Sequence, residues 1–471
     1  MGLIQESLKL GRCDGKAPWL LVTNARIPCL SKAQCVTTTP GLYIYGNGVI
    51  LPASKNQVLS RNGERQALPE WATDMDVNGD TVRLKTGVMN NPPLYITRNT
   101  TTRAWAIGTD VFTLNATRYQ WEMPIKIINP TIINRDSTTS FVGVTQLPAH
   151  AYVEIQNPGS GWQFSMQELY DPLFAVLHPR IRDFTQAGSR FVEALQAGVS
   201  ANVQDETEIA TLLSGGIDSG AVTTFAVRSG VKVTAYSAGS PWGNEHEEAQ
   251  ELADFLGIPL VRIELSTDEI LAAIPASMRA LGTANRVQVD VSLIVSAVMR
   301  SGIIKERHIL TGYGADPLLL GLPPDCHEEE VLTQSIISEA DGARHSCEFT
   351  DAVARTWNKR VSHPFWHSDV IKTAVDIHPH CKVHDGREKA FFRAAMERYM
   401  PKSAVWRYKI GIHLGGGLQG GLDMHFGGVD QKTKAYTEIF ESITETLLED
   451  PFANIDGLHL KVCKKYVKQP V

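Results

Sequence analysis

The stretch that most constrains this chain is LLSGGIDSG, Leu212 to Gly220. The apolar run EIATLL (Glu208 to Leu213) before it reads as a short strand, and AVTTFAVRSG after it as a helix stopping at Gly230. A strand that turns into a helix through two glycines lets a ligand approach the main chain closely. It also leaves N–H groups at the helix start for that ligand to use. Ser214 and Ser219 add hydroxyls, and Asp218 adds a carboxylate that needs a metal ion or a donor. The set predicts a pyrophosphate site formed by Ser214, Gly215, Gly216, Asp218 and Ser219, with Mg2+ on Asp218. No Gly-Lys-Ser/Thr follows, so this is not a Walker A loop. The competing explanation is an ordinary strand–turn–helix junction.

The surrounding pattern supplies a frame. VKVTAYSA, PLVRIEL and HILTGY read as further strands, and NEHEEAQELADFLG as a helix with an acidic first turn and a glycine stop. Further helical patterns run around Asp268 to Ala280 and Asp290 to Ser301. Strands spaced by helices argue for βαβ units and a parallel sheet. HILTGYGADPLLLG (His308 to Gly321) is again an apolar strand ending in a glycine-rich turn with an acid, Asp316. In a parallel sheet both turns face the carboxyl edge, where ligands bind. Asp218 and Asp316 are then placed to share one Mg2+, unless Asp316 merely shapes its turn. Ser237, ending the second strand, is a candidate contact for adenine or ribose, or simply a turn residue. Before about residue 165 the chain has short β-type runs instead: GLYIYGNGVIL, Pro93 to Thr97, RAWAIGTDVFTL and HAYVEIQNPGSGW. The segment from Met166 to about Val203 reads mostly as helix, broken near Pro179, and Arg387 to Met400 also reads as helix.

Composition narrows the function classes. The 471 residues carry a net charge of −6, with 43% hydrophobic and 20% charged residues, ordinary values for a globular protein. Nothing pulls such a chain toward nucleic acid or an anionic membrane. Its seven cysteines are scattered with no CxxC pair, which suggests neither a zinc site nor a redox dithiol and fits a reducing cytoplasm. His246, His363, His367 and His413 show no metal-ligand spacing. A secretory signal and a membrane-length apolar run are not expected.

SGGIDS, with TGYGAD, CEF and WRYKIGIH, resembles the asparagine synthetase (class B) family, a branch of the ATP-pyrophosphatase enzymes, and within it the β-lactam and carbapenam synthetases. The resemblance is specific from about Asp205 to Leu414. Before residue 165 only PLYITRNTTTRAWAIGTD is similar to the family's glutaminase-like domain. It implies an α/β chain, α+β overall: a degenerate glutaminase-like β-rich sandwich over residues 1–165, and an ATP-pyrophosphatase domain over 166–471 with a parallel sheet and a helical end. Asparagine synthetases usually have an acidic or small residue where Tyr313 stands, whereas the lactam-forming branch has a Tyr there, a Glu downstream and a Lys before GxH. The matches are Tyr313, Glu348 in CEF and Lys409 in WRYKIGIH. The resemblance implies a Tyr313–Glu348 dyad that deprotonates an attacking amine, and a Lys409 that stabilises the charged intermediate. Gly312 falls to the nucleotide, Gly314 to the substrate. Asp290 falls where the family places an acidic substrate contact, for a cationic part of the substrate; a helix N-cap is the alternative.

Departures sharpen the expectation. Glutamine-dependent relatives begin the mature chain with Cys, whereas this chain begins Met1-Gly2 and its first cysteine is Cys13. The first domain is therefore expected to lack glutaminase activity, and the nitrogen to come from the substrate or another donor. Leu414 stands where the family has an acidic residue, and Gly220 where it has a second serine. The expected activity is an ATP- and Mg2+-dependent β-lactam synthetase. It would act in the cytoplasm on an amino-acid-derived small molecule, with a homo-oligomer left open, in a clavam-, carbapenam- or tabtoxin-type pathway. The alternatives are a lasso-peptide cyclase, an ammonia-dependent asparagine-synthetase-like ligase, and a nucleotide-binding pseudoenzyme.

Overall fold

A computed structural model describes residues 19–39, 41–47, 73–131, 137–346, 353–354, 356–357, 359–408 and 417–466. Two antiparallel sheets come first. One has six strands in the order β2-β3-β1-β7-β6-β8, built from β1 (Trp19–Thr23), β2 (Gln34–Thr39), β3 (Leu42–Asn47), β6 (Tyr95–Asn99), β7 (Ala104–Gly108) and β8 (Thr145–Gln146). The other has the order β10-β9-β5-β4, from β4 (Asp74–Asn78), β5 (Thr81–Lys85), β9 (Ala151–Gln156) and β10 (Gln163–Glu168). Leu20, Val22, Ile44, Val82, Val153 and Ile155 fill the space between them. The alternate residues Trp19 and Leu21 face the opposite way, onto the core shared with the rest of the chain, so β1 is buried on both faces. Not all of this region is strand. VFTL belongs to α1 (Val111–Gln120), whose first turn is capped by Asp110, accepting from the N–H groups of Phe112 and Thr113.

The predicted helix from Met166 is corrected. Residues 163–168 are the edge strand β10, 172–177 a 3-10 turn behind Pro172, and helix begins only at α2 (Phe184–Val203), capped by Asp183. An exposed edge strand carries no apolar alternation that would distinguish it from a polar helix.

The remainder follows the βαβ expectation. A five-stranded parallel sheet has the order β13-β12-β11-β14-β15, from β11 (Glu208–Leu212), β12 (Lys232–Gly239), β13 (Leu260–Glu264), β14 (His308–Leu310) and β15 (Arg360–Ser362). The connecting helices are α3 (Ile217–Arg228), α4 (His246–Leu256) and α5 (Arg286–Ser301), with two short helices, Thr267–Ala272 and Ile274–Leu281, before α5. The chain then runs through α6 (Ala315–Leu319), α7 (Glu329–Ser346), α8 (Ser368–Asp376) and α9 (Pro379–Lys382). After α9 comes a hairpin of β16 (Val383–His384) and β17 (Arg387–Glu388). It leads into α10 (Ala390–Met396), so the predicted helix over 387–400 starts as strand. The order reverses between β11 and β14, the switch point where open α/β sheets bind ligands. α11 (Leu418–His425), α12 (Val429–Glu449) and a last helix, Leu458–Tyr466, follow, and α12 packs back on the sandwich through Phe440 against Phe112 and Phe141. No helix among the described residues is long and apolar enough to cross a membrane.

One buried group runs against the core's chemistry. Lys382, the last residue of α9, is fully buried, and its Nζ meets no hydrogen-bond partner among the described residues. Burial pushes its amine down to about 7. Lys382→Met replaces an unpaired buried amine with an apolar chain of similar shape and should raise stability by about 1–3 kcal/mol. The readout is a higher denaturant midpoint at unchanged slope; a lower midpoint would show that the amine serves a partner.

Candidate active site

The SGGIDSG turn sits at the carboxyl end of β11, and Gly216 occupies the N-cap of α3, a position with no side chain to satisfy the first-turn N–H groups. Ser214 and Ser219 stand together, their hydroxyls 3.1 Å apart, and the Ser214 N–H donates to Ser219 Oγ at 3.2 Å. The TGYGAD turn leaves the neighbouring strand β14 and meets this one directly. A Cβ on Gly312 would lie 2.3 Å from the Ser219 nitrogen and 2.5 Å from the Asp218 carbonyl carbon. Only glycine permits that approach, which is how the two turns become one site. Gly314 is the N-cap of α6, and Asp316 lies in that helix's first turn.

Asp218 and Asp316 do come together, but around a residue the sequence did not single out. The Lys389 Nζ lies 2.7 and 2.5 Å from the two Asp218 oxygens and 2.6 Å from Asp316 Oδ1. Lys389 is fully buried and holds a left-handed backbone at φ 56°, sparsely populated for a side-chain-bearing residue. Two carboxylates this close repel, and the ammonium offsets that charge. Their hard oxygen donors suit Mg2+, and a cation already stands between them.

A second group of basic residues holds the chain that leads to residue 409. Arg407 donates to the Ser214 carbonyl at 3.1 Å and pairs with Glu245 and Glu248, each at 3.1 Å. Arg387 and Arg393 both donate to the Arg407 carbonyl, each at 3.1 Å. The segment is thus tied to the pyrophosphate turn. Lys409 and Glu348, expected to stabilise the intermediate and to orient Tyr313, lie outside the described residues. Tyr313 follows Gly312 at the sheet edge. Its ring meets Trp366 and His363 edge-on at 5.0 and 5.4 Å, and its N–H donates to Thr311 Oγ1 at 3.2 Å.

Two expected contacts sit differently. Ser237 lies within β12, buried, with its Oγ 3.0 Å from His246 Nδ1. Asp290 is not an N-cap: Asn285 caps α5, accepting from Val287 and Gln288, and Asp290 is one turn in. Its two oxygens bind the Lys432 ammonium at 2.7 Å and the Tyr436 hydroxyl at 2.8 Å. Lys432 also reaches Asp423 at 2.6 Å, so the cluster ties α5 to α11 and α12. Burial pushes the Asp290 carboxyl up to about 6, opposed by Lys432 and Tyr436. With both oxygens already engaged, this carboxylate is part of the packing between helices.

Removing the ammonium tests the centre. Lys389→Met leaves Asp218 and Asp316 facing each other and should lower stability by about 2–4 kcal/mol, toward the low side for a broken buried pair because Asp316 is partly exposed. Added Mg2+ should recover much of that loss in a thermal melt of the variant while barely moving the wild type. An equal Mg2+ effect on both would show that the cation and Lys389 do not share the site.

Comparison with known proteins identifies the family. The asparagine synthase family matches residues 190–341 and 343–425. Carboxyethyl-arginine beta-lactam-synthase of Streptomyces clavuligerus is 31% identical over 281 residues, 58% of this chain and 52% of its own. Asparagine synthetase B of Escherichia coli is 22% identical over 294 residues, covering 56% and 50%. The pea nodule asparagine synthetase is 25% identical over 241 residues, covering 46% and 41%. The chain thus spans about half the length of the curated relatives it matches. Among solved structures, an NMN synthetase from Francisella tularensis covers 59% of this chain and 92% of its own at 15% identity. Its TM-score of 0.29 is a likeness too slight to weigh. The matched region holds both glycine turns, the Lys389 bridge and the arginines around residue 407, and by it the chain belongs to the asparagine synthase family.

Proposed function

We propose that the chain is an ATP-dependent carbon–nitrogen ligase that closes a β-lactam within one substrate molecule, in the antibiotic or toxin type of pathway. The observation that carries this reading is Tyr313, set between the two glycines of the turn that touches the pyrophosphate loop. In the first step a substrate carboxylate oxygen attacks the α-phosphorus of ATP, forming an acyl adenylate and releasing pyrophosphate. Ser214, Gly215, Gly216 and Ser219 hold the departing phosphates, and Gly312 and Ser237 flank the nucleotide. Asp218 and Asp316 would hold Mg2+, which supplies charge neutralisation to the phosphates. Lys389 holds its ammonium beside both carboxylates and adds positive charge to the same site.

In the second step an amine of the same molecule attacks the acyl carbon. The C–N bond forms, the C–O bond to AMP breaks, and the amine loses a proton. Tyr313 takes that proton as its own hydroxyl proton passes to Glu348, so the dyad acts as one base; an unperturbed phenol titrates near 10, close to an alkyl amine, which matches the first transfer. Glu348 orients the phenol, Lys409 offsets charge on the tetrahedral oxygen, and Gly314 lies beside the substrate. The N-terminal domain, 1–165, has a structural role beside the synthetase domain, 166–471. We place the enzyme in the cytoplasm, with an amino-acid-derived substrate.

The test is pyrophosphate release from Mg2+-ATP across a panel of β-amino acids, with and without ammonium, products read by mass. A product one water lighter than its substrate, with no need for ammonium, is expected. Release that requires ammonium, or a peptide substrate, would overturn lactam closure in favour of amidation or macrocyclisation. Release with no substrate would overturn the ligase reading. Tyr313→Phe should keep substrate-dependent ATP–pyrophosphate exchange while slowing ring closure by about 10²–10⁴. Equal loss of both steps would remove Tyr313 from proton transfer.

A further inference from the structure

A second group of ligating side chains lies away from the turns just described. Glu329 opens α7, His378 precedes α9, and His380 lies within α9. Each offers one ligand atom, and the three atoms lie within 4.8 Å of one another. His378 is buried and its backbone is fixed: its N–H donates to the Ile181 carbonyl at 2.9 Å, beside the parallel bridge between Ile181 and Ile377. The same bridge delivers Arg182.

The contacts of His378 Nε2 conflict. It lies 2.8 Å from Arg182 Nη1, a donor only, and 3.0 Å from Glu329 Oε1, an acceptor only. One ring nitrogen cannot both accept from the guanidinium and donate to the carboxylate. The conflict is relieved if a cation takes the place of the guanidinium, the ring nitrogen and the carboxylate oxygen each presenting a lone pair to it. We propose that Glu329, His378 and His380 form a site for a divalent transition-metal ion of the zinc type, which Arg182 blocks in its absence.

The donor set selects the ion. Two imidazole nitrogens and one carboxylate oxygen suit a borderline divalent ion and leave a coordination position for water. Glu329 and His380 are exposed and free to turn inward, whereas His378 is held in place. The Arg182 side chain is 65% exposed and returns to water at little cost. Burial lowers the His378 pKa, which favours the neutral ring that a metal requires. Binding through Nε2 moves the ring proton to Nδ1 and gives up, besides the Arg182 contact, the 3.3 Å capping contact from the His380 N–H. The ion would join α7, which follows the turn bearing Asp316, to α9, which leads through the hairpin to Lys389. The inference does not depend on the ligase reading.

The probe is Co2+, titrated into the full chain in excess Mg2+ with no ATP or substrate, followed by visible absorption. The expected result is saturable uptake of a single equivalent with d–d bands, displaced by Zn2+. His380→Ala and Glu329→Gln should each weaken binding by about tenfold or more, with metal-free melting curves matching wild type. Arg182→Ala should tighten binding, because it removes the competing cation. Absence of saturable bands, uptake unchanged in His380→Ala and Glu329→Gln, or weaker binding in Arg182→Ala would each overturn the site.

Discussion

The arrangement of this molecule turns on one buried ammonium. Lys389 contacts both Asp218 and Asp316, which arrive on turns from neighbouring parallel strands. Without a cation between them these carboxylates would force the turns apart, and Gly312 could not lie against the Ser219 amide. The left-handed backbone at Lys389 is a cost borne for this placement. The hairpin β16–β17 turns the chain immediately before it, and α10 begins immediately after. A buried ion pair seldom adds much stability against an apolar alternative. Its value here is positional: it collects the donors a phosphate and its cation need into one volume before either arrives.

The arginines extend that logic to the segment beyond residue 405. Arg387 and Arg393 grip its carbonyls from the β17–α10 corner, and Arg407 reaches from it to the Ser214 carbonyl. On its far side the chain re-enters the described structure at Gly417, and α11 packs on Trp242. A Cβ on Gly421 would lie 2.0 Å from the Trp242 ring, so glycine is needed there for close approach. Trp242 belongs to the loop after β12, whose strand also carries Ser237. Residues 405–408 are thus held against the SGGIDSG turn, and α11 against the loop after β12.

What the sequence made legible was local. SGGIDSG and TGYGAD announce themselves because apolar strand, glycine turn and acid lie within a few residues of one another. The strand order then follows from general rules of parallel sheets. Lys389 gave no such signal: in REKAFF it reads as an ordinary helix charge, and its partners are distant in sequence. Arg407 and the Lys432–Asp290 pair were hidden for the same reason. Local patterns also misled. VFTL alternates like a strand, but the Asp110 cap makes it a helix, and β10 lacks the apolar alternation of a half-buried strand because its side chains are nearly all exposed. The spacing that placed Asp290 near the substrate counted residues correctly, but not which face of α5 would be buried.

The sandwich, α12 and the parallel sheet are joined by packing. α12 lays Phe440 against Phe112 and Phe141 of the N-terminal region, while the Lys432 cluster ties α12 and α11 to α5 of the nucleotide-binding part. One apolar core thus runs from the six-stranded sheet into the face of the parallel sheet. An acyl adenylate is hydrolysed if water reaches it, and closing a strained four-membered ring needs amine and carbonyl held together long enough to react. In the proposed reaction this shared core backs the helices beside the parallel sheet.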